Sequence, residues 1–507
     1  MSENLLFEQF LNRLKKTTDE GRSAAVKKRH QLGLRSAREN LSDLVDDQSF
    51  LEYGAFAVAA QRSRKKYEDL QIDTAADGII TGFCKINSDI VGDKKAHAAC
   101  IIYDYSVLAG TQGYFHHMKL DRLCEKVREY GLPIVIFTEG GGGRPGDTDV
   151  TTSVAGLHVP SFANWAGLSG KCLRIAVNNG FCFAGNAALF GSADIRIATK
   201  NSWIGMAGPA MIEGGGLGKF SPKEIGPSNI QEKNGVIVFF AEDDKEANKI
   251  AKKILSYFQG NESEWKVLDQ SQLINIMPKD RRWSYPVRDI ISIISDIDQY
   301  VELKKEYGRG IITGFIRIEG KPFGLIANDS QYLGGAIDSE SADKASYFFD
   351  LCSKFNLPIV ALVDTPGFMV GPDSEAEGAV RRMSNLFLIG SQLKVPLTAI
   401  FLRKGYGLGA QAMVGGSLHE PIYTASWPTG EFGAMGLEGA VKLGFKKELE
   451  QITDEKQKEE LYQSLVDKLY EKGKAIEAAA HLEIDAVIDP SETRRVILKA
   501  QELRQEI

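Results

Sequence analysis

The 507-residue sequence predicts an α/β protein built from two domains of one fold. Three observations carry that expectation. The pentapeptide IITGF stands at Ile79–Phe83 and again at Ile311–Phe315. The tetrapeptide LPIV stands at Leu132–Val135 and at Leu357–Val360. Around both pairs the same kinds of segment follow in the same order.

After the first IITGF comes an apolar strand, AACIIYDYS, then a helical run, GTQGYFHHMKLDRLCEKVREY, then GLPIVIFTEGGGG. After the second come FGLIAND, DSESADKASYFFDLCSKF and NLPIVALVDTPGF. Leu-Pro cannot continue a helix, and the β-branched run behind it favours a strand. A further strand follows in each half, RIAVNN or LTAIFL. Each of those runs into a small-residue turn that opens a helix, GFCFAGNAAL or KGYGLGAQAM. The repeat is too long for a solenoid. It predicts domains at residues 1–270 and 271–507, related by a pseudo-twofold, with PKDRRWSYPVRD leading into the second.

Composition excludes several classes. Hydrophobic residues make up 43% and charged residues 25%, the balance of a globular protein. The net charge is −6 with no basic stripe, which argues against a nucleic-acid partner. The six cysteines show no CxxC spacing and the seven histidines no HExxH, so no metal site is expected. The N-terminus carries Glu3 and Glu8, unlike a secretory or transit peptide. No apolar stretch approaches a membrane span. These features predict a cytoplasmic protein.

Glycine is the one excess, at 51 residues. In EGGGGRPGD (Glu139–Asp147), Gly141, Gly143 and Gly146 formally satisfy GxGxxG. The helix and the acid that a dinucleotide site needs do not follow. No GxxxxGK[ST] is present. The loop instead lets a backbone approach a ligand, with Arg144 available for a phosphate or carboxylate; a purely structural loop is the alternative. In FAGNAALFGSADI and GYGLGAQAM, the small residues permit a sharp turn whose first helical N–H groups are unpaired. Two such groups make an oxyanion hole. The bland alternative is a tight packed turn, but the turn occurs in both halves.

These residues carry a resemblance. The chain resembles the carboxyltransferase (β) subunits of biotin-dependent acyl-CoA carboxylases, the propionyl-CoA and methylcrotonyl-CoA carboxylase family. RRWSYPVRDII, LVDTPGFMVGPDSE, KGYGLGAQAM, SWPTGEFGAMGLEGAV and IDAVIDPSETRRVI resemble the family most specifically. The resemblance implies a crotonase-like ββα superhelix in each half, with acyl-CoA on the N-terminal side and biotin on the C-terminal side. It implies carboxyl transfer from carboxybiotin to the α (or vinylogous) carbon of an acyl-CoA through an enolate held by backbone oxyanion holes. By position, Ala184 and Gly185, with Asn186 beside them, match the thioester pair. Leu408 and Gly409, with Ala410, match the biotin pair. Gly142, Gly143 and Arg144 match the CoA-side loop, and Pro366, Gly367 and Phe368 the biotin-side loop. Biotin is expected on a partner, a biotin carboxylase or carboxyl carrier subunit, because no AMKM-type site or ATP-binding segment is present. A homo-oligomer, a dimer or a trimer of dimers, is expected, and no zinc ribbon.

The sequence departs from the propionyl-type pattern at three points: Ala184-Gly185 replaces two glycines, Gln411 replaces an acid, and EGGGGR replaces SGGAR. These changes leave the acyl group open. Two other readings stand beside carboxylation: a carboxyacyl-CoA decarboxylase subunit using the same site in reverse, and a non-catalytic acyl-CoA-binding scaffold. A crotonase-type hydratase would need a well-placed glutamate, for which Glu139 is the candidate in the first-half loops.

Overall fold

The computed structural model describes residues 3–151 and 156–505. The chain divides into two units, Met1–Gly260 and Asn261–Ile507. The stretch PKDRRWSYPVRD belongs inside the second unit. Its charges are engaged there, Arg281 with Glu431 and Glu438, and Arg288 with Glu302 and Asp329.

The first unit holds β1 (Leu51–Tyr53), β2 (Ile79–Lys85), β3 (His97–Tyr103), β4 (Ile134–Phe137), β5 (Arg174–Asn178), β6 (Phe181–Phe183), β7 (Ile195–Thr199), β8 (Trp203–Gly205) and β9 (Phe239–Ala241). The second holds β10 (Tyr300–Leu303), β11 (Ile311–Ile318), β12 (Lys321–Asn328), β13 (Ile359–Thr365), β14 (Leu397–Tyr406), β15 (Tyr423–Ser426), β16 (Glu431–Gly433) and β17 (Ala486–Val487). The main sheets run β1-β2-β3-β4-β5-β7-β9 and β10-β11-β12-β13-β14-β15-β17, the same order twice. In each, the first pairings are antiparallel and the rest parallel. In the first unit β6 and β8 pair as a separate two-stranded ribbon, and in the second β16 pairs with the end of β14.

The repeated words have physical causes. In IITGF the threonine hydroxyl bonds the edge strand, Thr81 to the Tyr53 carbonyl at 3.1 Å and Thr313 to the Leu303 carbonyl at 3.4 Å. The glycine lies beneath an aromatic ring. A Cβ on Gly82 would stand 2.5 Å from Phe50, and one on Gly314 2.7 Å from Tyr300. Each LPIV follows a left-handed residue that stops the helix, Gly131 (φ 64) after Tyr114–Tyr130 and Asn356 (φ 55) after Ser339–Lys354. Leu132 and Leu357 then close the ends by donating to the Val127 and Cys352 carbonyls at 3.2 and 3.0 Å.

The duplication extends ahead of IITGF. Arg38 pairs with Glu52 on β1, and Arg288 with Glu302 on β10. Lys119 and Lys344 occupy matching places on the helices Tyr114–Tyr130 and Ser339–Lys354, and both are buried. All six cysteines are buried and free.

Candidate active site

The two glycine turns stand at matching places. In the first unit β6 ends at Phe183, Ala184 turns the chain at φ 52, ψ −119, and the helix Gly185–Gly191 begins. In the second, β14 ends at Tyr406, Gly407 turns at φ 58, and the helix runs Gly407–Met413. The shared positive φ equates Ala184 with Gly407, Gly185 with Leu408, and Asn186 with Gly409.

A loop meets each helix start. After β4, the Gln112 N–H donates to the Gly142 carbonyl at 2.7 Å and the Arg144 N–H to the Gln112 carbonyl at 2.9 Å. After β13, the Ile337 N–H donates to the Gly367 carbonyl at 3.0 Å and the Met369 N–H to the Ile337 carbonyl at 2.8 Å. Gly143 and Phe368 therefore match, each flanked by bridging residues. Among the described residues no hydrogen bond engages the N–H of Gly143, Gly185, Phe368 or Leu408. The loops touch the helix starts. A Cβ on Gly142 would stand 2.7 Å from the Ala184 methyl and 3.7 Å from the Gly185 nitrogen. A Cβ on Gly409 would stand 2.7 Å from Gly367 Cα and 3.0 Å from the Phe368 nitrogen.

This geometry corrects several expectations. The Ala184 N–H donates to the Gly205 carbonyl at 3.1 Å, so Ala184 is not a free donor. It is the residue at which the chain turns into the helix. The expected pairs Ala184–Gly185 and Leu408–Gly409 are one residue out of step with each other. Gly143 and Phe368, expected from the sequence to line a ligand, present unpaired N–H groups at matching places. Their equal separation from Leu132 and Leu357 was the available signal. Arg144 is not open to a ligand. Its guanidinium is buried, paired with Asp77 and bonded to the Thr111 carbonyl at 2.8 Å. Asn186 lies beside the turn as a brace: Oδ1 accepts from the Gly142 N–H at 3.0 Å, and Nδ2 donates to the Thr138 carbonyl at 3.2 Å. Ala410 is buried one residue beyond Gly409, and Pro366 precedes Gly367 at the end of β13.

Glu139 is gripped by Arg29 at 2.9 and 2.7 Å, which removes the glutamate that the hydratase reading required. His116 is fully buried against Tyr103, and burial holds its pKa well below the usual value, so it is neutral. Among the described residues no cluster could hold a metal ion, and no helix is long and apolar enough to cross a membrane.

Two cavities lie by these loops. One of about 850 Å³ in the first unit is lined by Tyr105, Phe181, Trp203, Lys28, Lys65 and Lys223, with Glu139 at its wall. One of about 570 Å³ in the second unit is lined by Gly407, Leu408, Gln411, Phe432, Lys472 and His481.

The carboxyl transferase domain family matches residues 28–506. The chain belongs to this family. The chain is 34% identical over 501 residues to the methylmalonyl-CoA carboxyltransferase 12S subunit of Propionibacterium freudenreichii subsp. shermanii, covering 95% of this chain and 91% of that one. It is 28% identical over 500 residues to the methylmalonyl-CoA decarboxylase subunit alpha of Veillonella parvula, covering 96% and 93%. Among solved structures, a single-chain, multi-domain long-chain acyl-CoA carboxylase superposes with a TM-score of 0.92 at 49% identity; the match covers 99% of this chain and 49% of that longer one. The chain is a biotin-dependent carboxyltransferase acting on an acyl-CoA, with the crotonase-like fold in each unit.

Proposed function

We propose that Gly143 and Gly185 hold the thioester oxygen of the acyl-CoA, and that Phe368 and Leu408 hold the ureido oxygen of biotin carried on a partner subunit. One observation carries this reading: the duplicated chain leaves the same two amides unpaired in each unit. Hydrogen-bond donors aimed at a developing negative oxygen stabilise it most when they are fixed beforehand. The loop–helix contacts fix them here. Biotin, when bound, supplies the carboxyl group and the acceptor for the α-proton. The protein holds the enolate oxygen while negative charge is present, and Ala184 and Gly407 aim the first helical amides. Removing one donor costs about 3–4 kcal/mol of barrier.

The 850 Å³ cavity fits the nucleotide end of coenzyme A, with aromatic faces for adenine and three lysines for phosphates. The 570 Å³ cavity beside Leu408 fits a compact bicyclic group. On this reading the acyl chain is long. The long-chain relative shares 49% identity, and Met206, Met211, Leu217 and Phe220, just beyond the strand that anchors Ala184, expose apolar side chains. Methionines suit a flexible alkyl chain.

The test is fixation of radioactive bicarbonate onto palmitoyl-CoA and propionyl-CoA, with ATP and the biotin-bearing partner supplied. Labelled product from palmitoyl-CoA, in preference to propionyl-CoA, is expected. Absence of labelled product on any acyl-CoA would sink the reading. The decarboxylase relative favours a second reading, the same transfer run in reverse. Co-purification of a membrane pump subunit would select it.

A further inference from the structure

Glu139 opens the loop that carries Gly143, and its buried carboxylate is held through both oxygens by Arg29 from the helix Ser23–Gln31. The matching slot in the second unit holds Asp364, also buried, with Arg403 Nη2 at 2.9 Å. The two acids are equivalent by duplication. A Cβ on Gly110 would stand 2.3 Å from the Glu139 carbonyl oxygen, and one on Gly335 2.3 Å from that of Asp364. The arginines are not equivalent: one comes from a helix ahead of the first sheet, the other from β14. Two unrelated elements meet one requirement. Stability alone does not explain it, because an apolar pair of similar volume is often as stable as a buried ion pair. A buried, fully bonded pair supplies a single defined geometry instead. The fit around Glu139 is close, since a Cβ on Gly180 would lie 2.2 Å from its Oε1.

We infer that Arg29–Glu139 is a positioning pair for carboxyl transfer: it fixes the base of the loop so that the Gly143 N–H stands beside the Gly185 N–H. The inference rests on the amide reading above. Neither residue touches the reacting atoms. Both also line the 850 Å³ cavity, so a ligand filling that cavity packs against the pair that sets the loop.

The test compares wild type, Arg29→Met, Glu139→Leu and the double variant Arg29→Met/Glu139→Leu. Three readouts are taken: Tm, amide hydrogen exchange of residues 140–144, and transfer of labelled carboxyl from tetradecylmalonyl-CoA or methylmalonyl-CoA to free biotin. The single variants lose Tm. The double variant regains it, yet exchanges faster at 140–144 and shows kcat lower by about tenfold or more. A double variant that recovers Tm, kcat and exchange protection together overturns the inference. Should it not fold, Glu139→Gln with Arg29 kept carries the same comparison. If the wild type moves no carboxyl group, the amide reading fails, while the exchange result still decides the positioning role.

Discussion

Asn186 ties the first unit's helix-opening turn to its loop by accepting the Gly142 N–H on Oδ1 at 3.0 Å. Its Nδ2 holds the end of β4 through the Thr138 carbonyl. The matching residue in the second unit is Gly409, where the loop backbone itself fills the space that Asn186 fills in the first. The two units reach the same loop–helix contact by a side chain in one and by close backbone packing in the other.

Replacing Asn186 by Ala leaves the Gly142 N–H and the Thr138 carbonyl buried without that partner. Each such loss costs about 1–3 kcal/mol. Asn186→Ala is expected to lower stability by that order in urea denaturation, and to lower kcat further, because the Gly143 amide loses its support. A variant with wild-type kcat would show that the brace does not act on the site.

Ala184 sits at φ 52 with a Cβ, a conformation costing about 1–3 kcal/mol for a residue other than glycine. Ala184→Gly is expected to raise stability by about 1 kcal/mol. The gain comes with slack in the turn, so kcat falls while KM for acyl-CoA holds. Chemical denaturation and steady-state kinetics on one preparation check both halves of the claim.

Gly409 admits no side chain without moving Gly367. Gly409→Val is expected to displace the Phe368 amide and lower kcat by about 10²–10³, the range for loss of one oxyanion donor. The first unit's cavity is untouched, so acyl-CoA binding by calorimetry should match wild type. Lost acyl-CoA affinity would place the thioester, not biotin, on the second turn.

The fold was legible in the sequence because its repeated words are enforced locally. IITGF needs its glycine under Phe50 or Tyr300, and LPIV follows a left-handed helix stop. The first constraint acts between neighbouring strands and the second within one turn. The site was legible only in part. That Ala184 is already bonded depends on Gly205, at the end of a separate strand, and that Glu139 is tied depends on Arg29 in the N-terminal region. Arg144 reads as an open cation until Asp77, buried behind it, is placed. Such partners are set by tertiary packing and leave no mark in the local pattern.

The duplicated buried lysines set a pH dependence of stability. Burial lowers the pKa of Lys344 to about 7 and that of Lys119 to about 8, against 10.5 when free. Glu302, Arg288, Asp329 and Asp338 surround Lys344 electrostatically, and the two carboxylates and Asp338 only partly offset the burial. Between the folded pKa and the unfolded one, the unfolded chain binds the extra proton, so stability rises with pH. Below pH 7 both states carry the Lys344 proton and this slope vanishes. Above about pH 8.5 the buried thiols of Cys124 and Cys182, each pushed up to about 12 by burial, act in the opposite sense, because the unfolded chain loses protons the folded one keeps. From pH 7.0 to 8.5 the lysine effect dominates and amounts to at most about 2 kcal/mol for one proton. Urea denaturation at these two pH values should show that gain in the wild type and most of it lost in Lys344→Met. An unchanged slope in the variant would mean that Lys344 keeps an ordinary pKa in the folded protein.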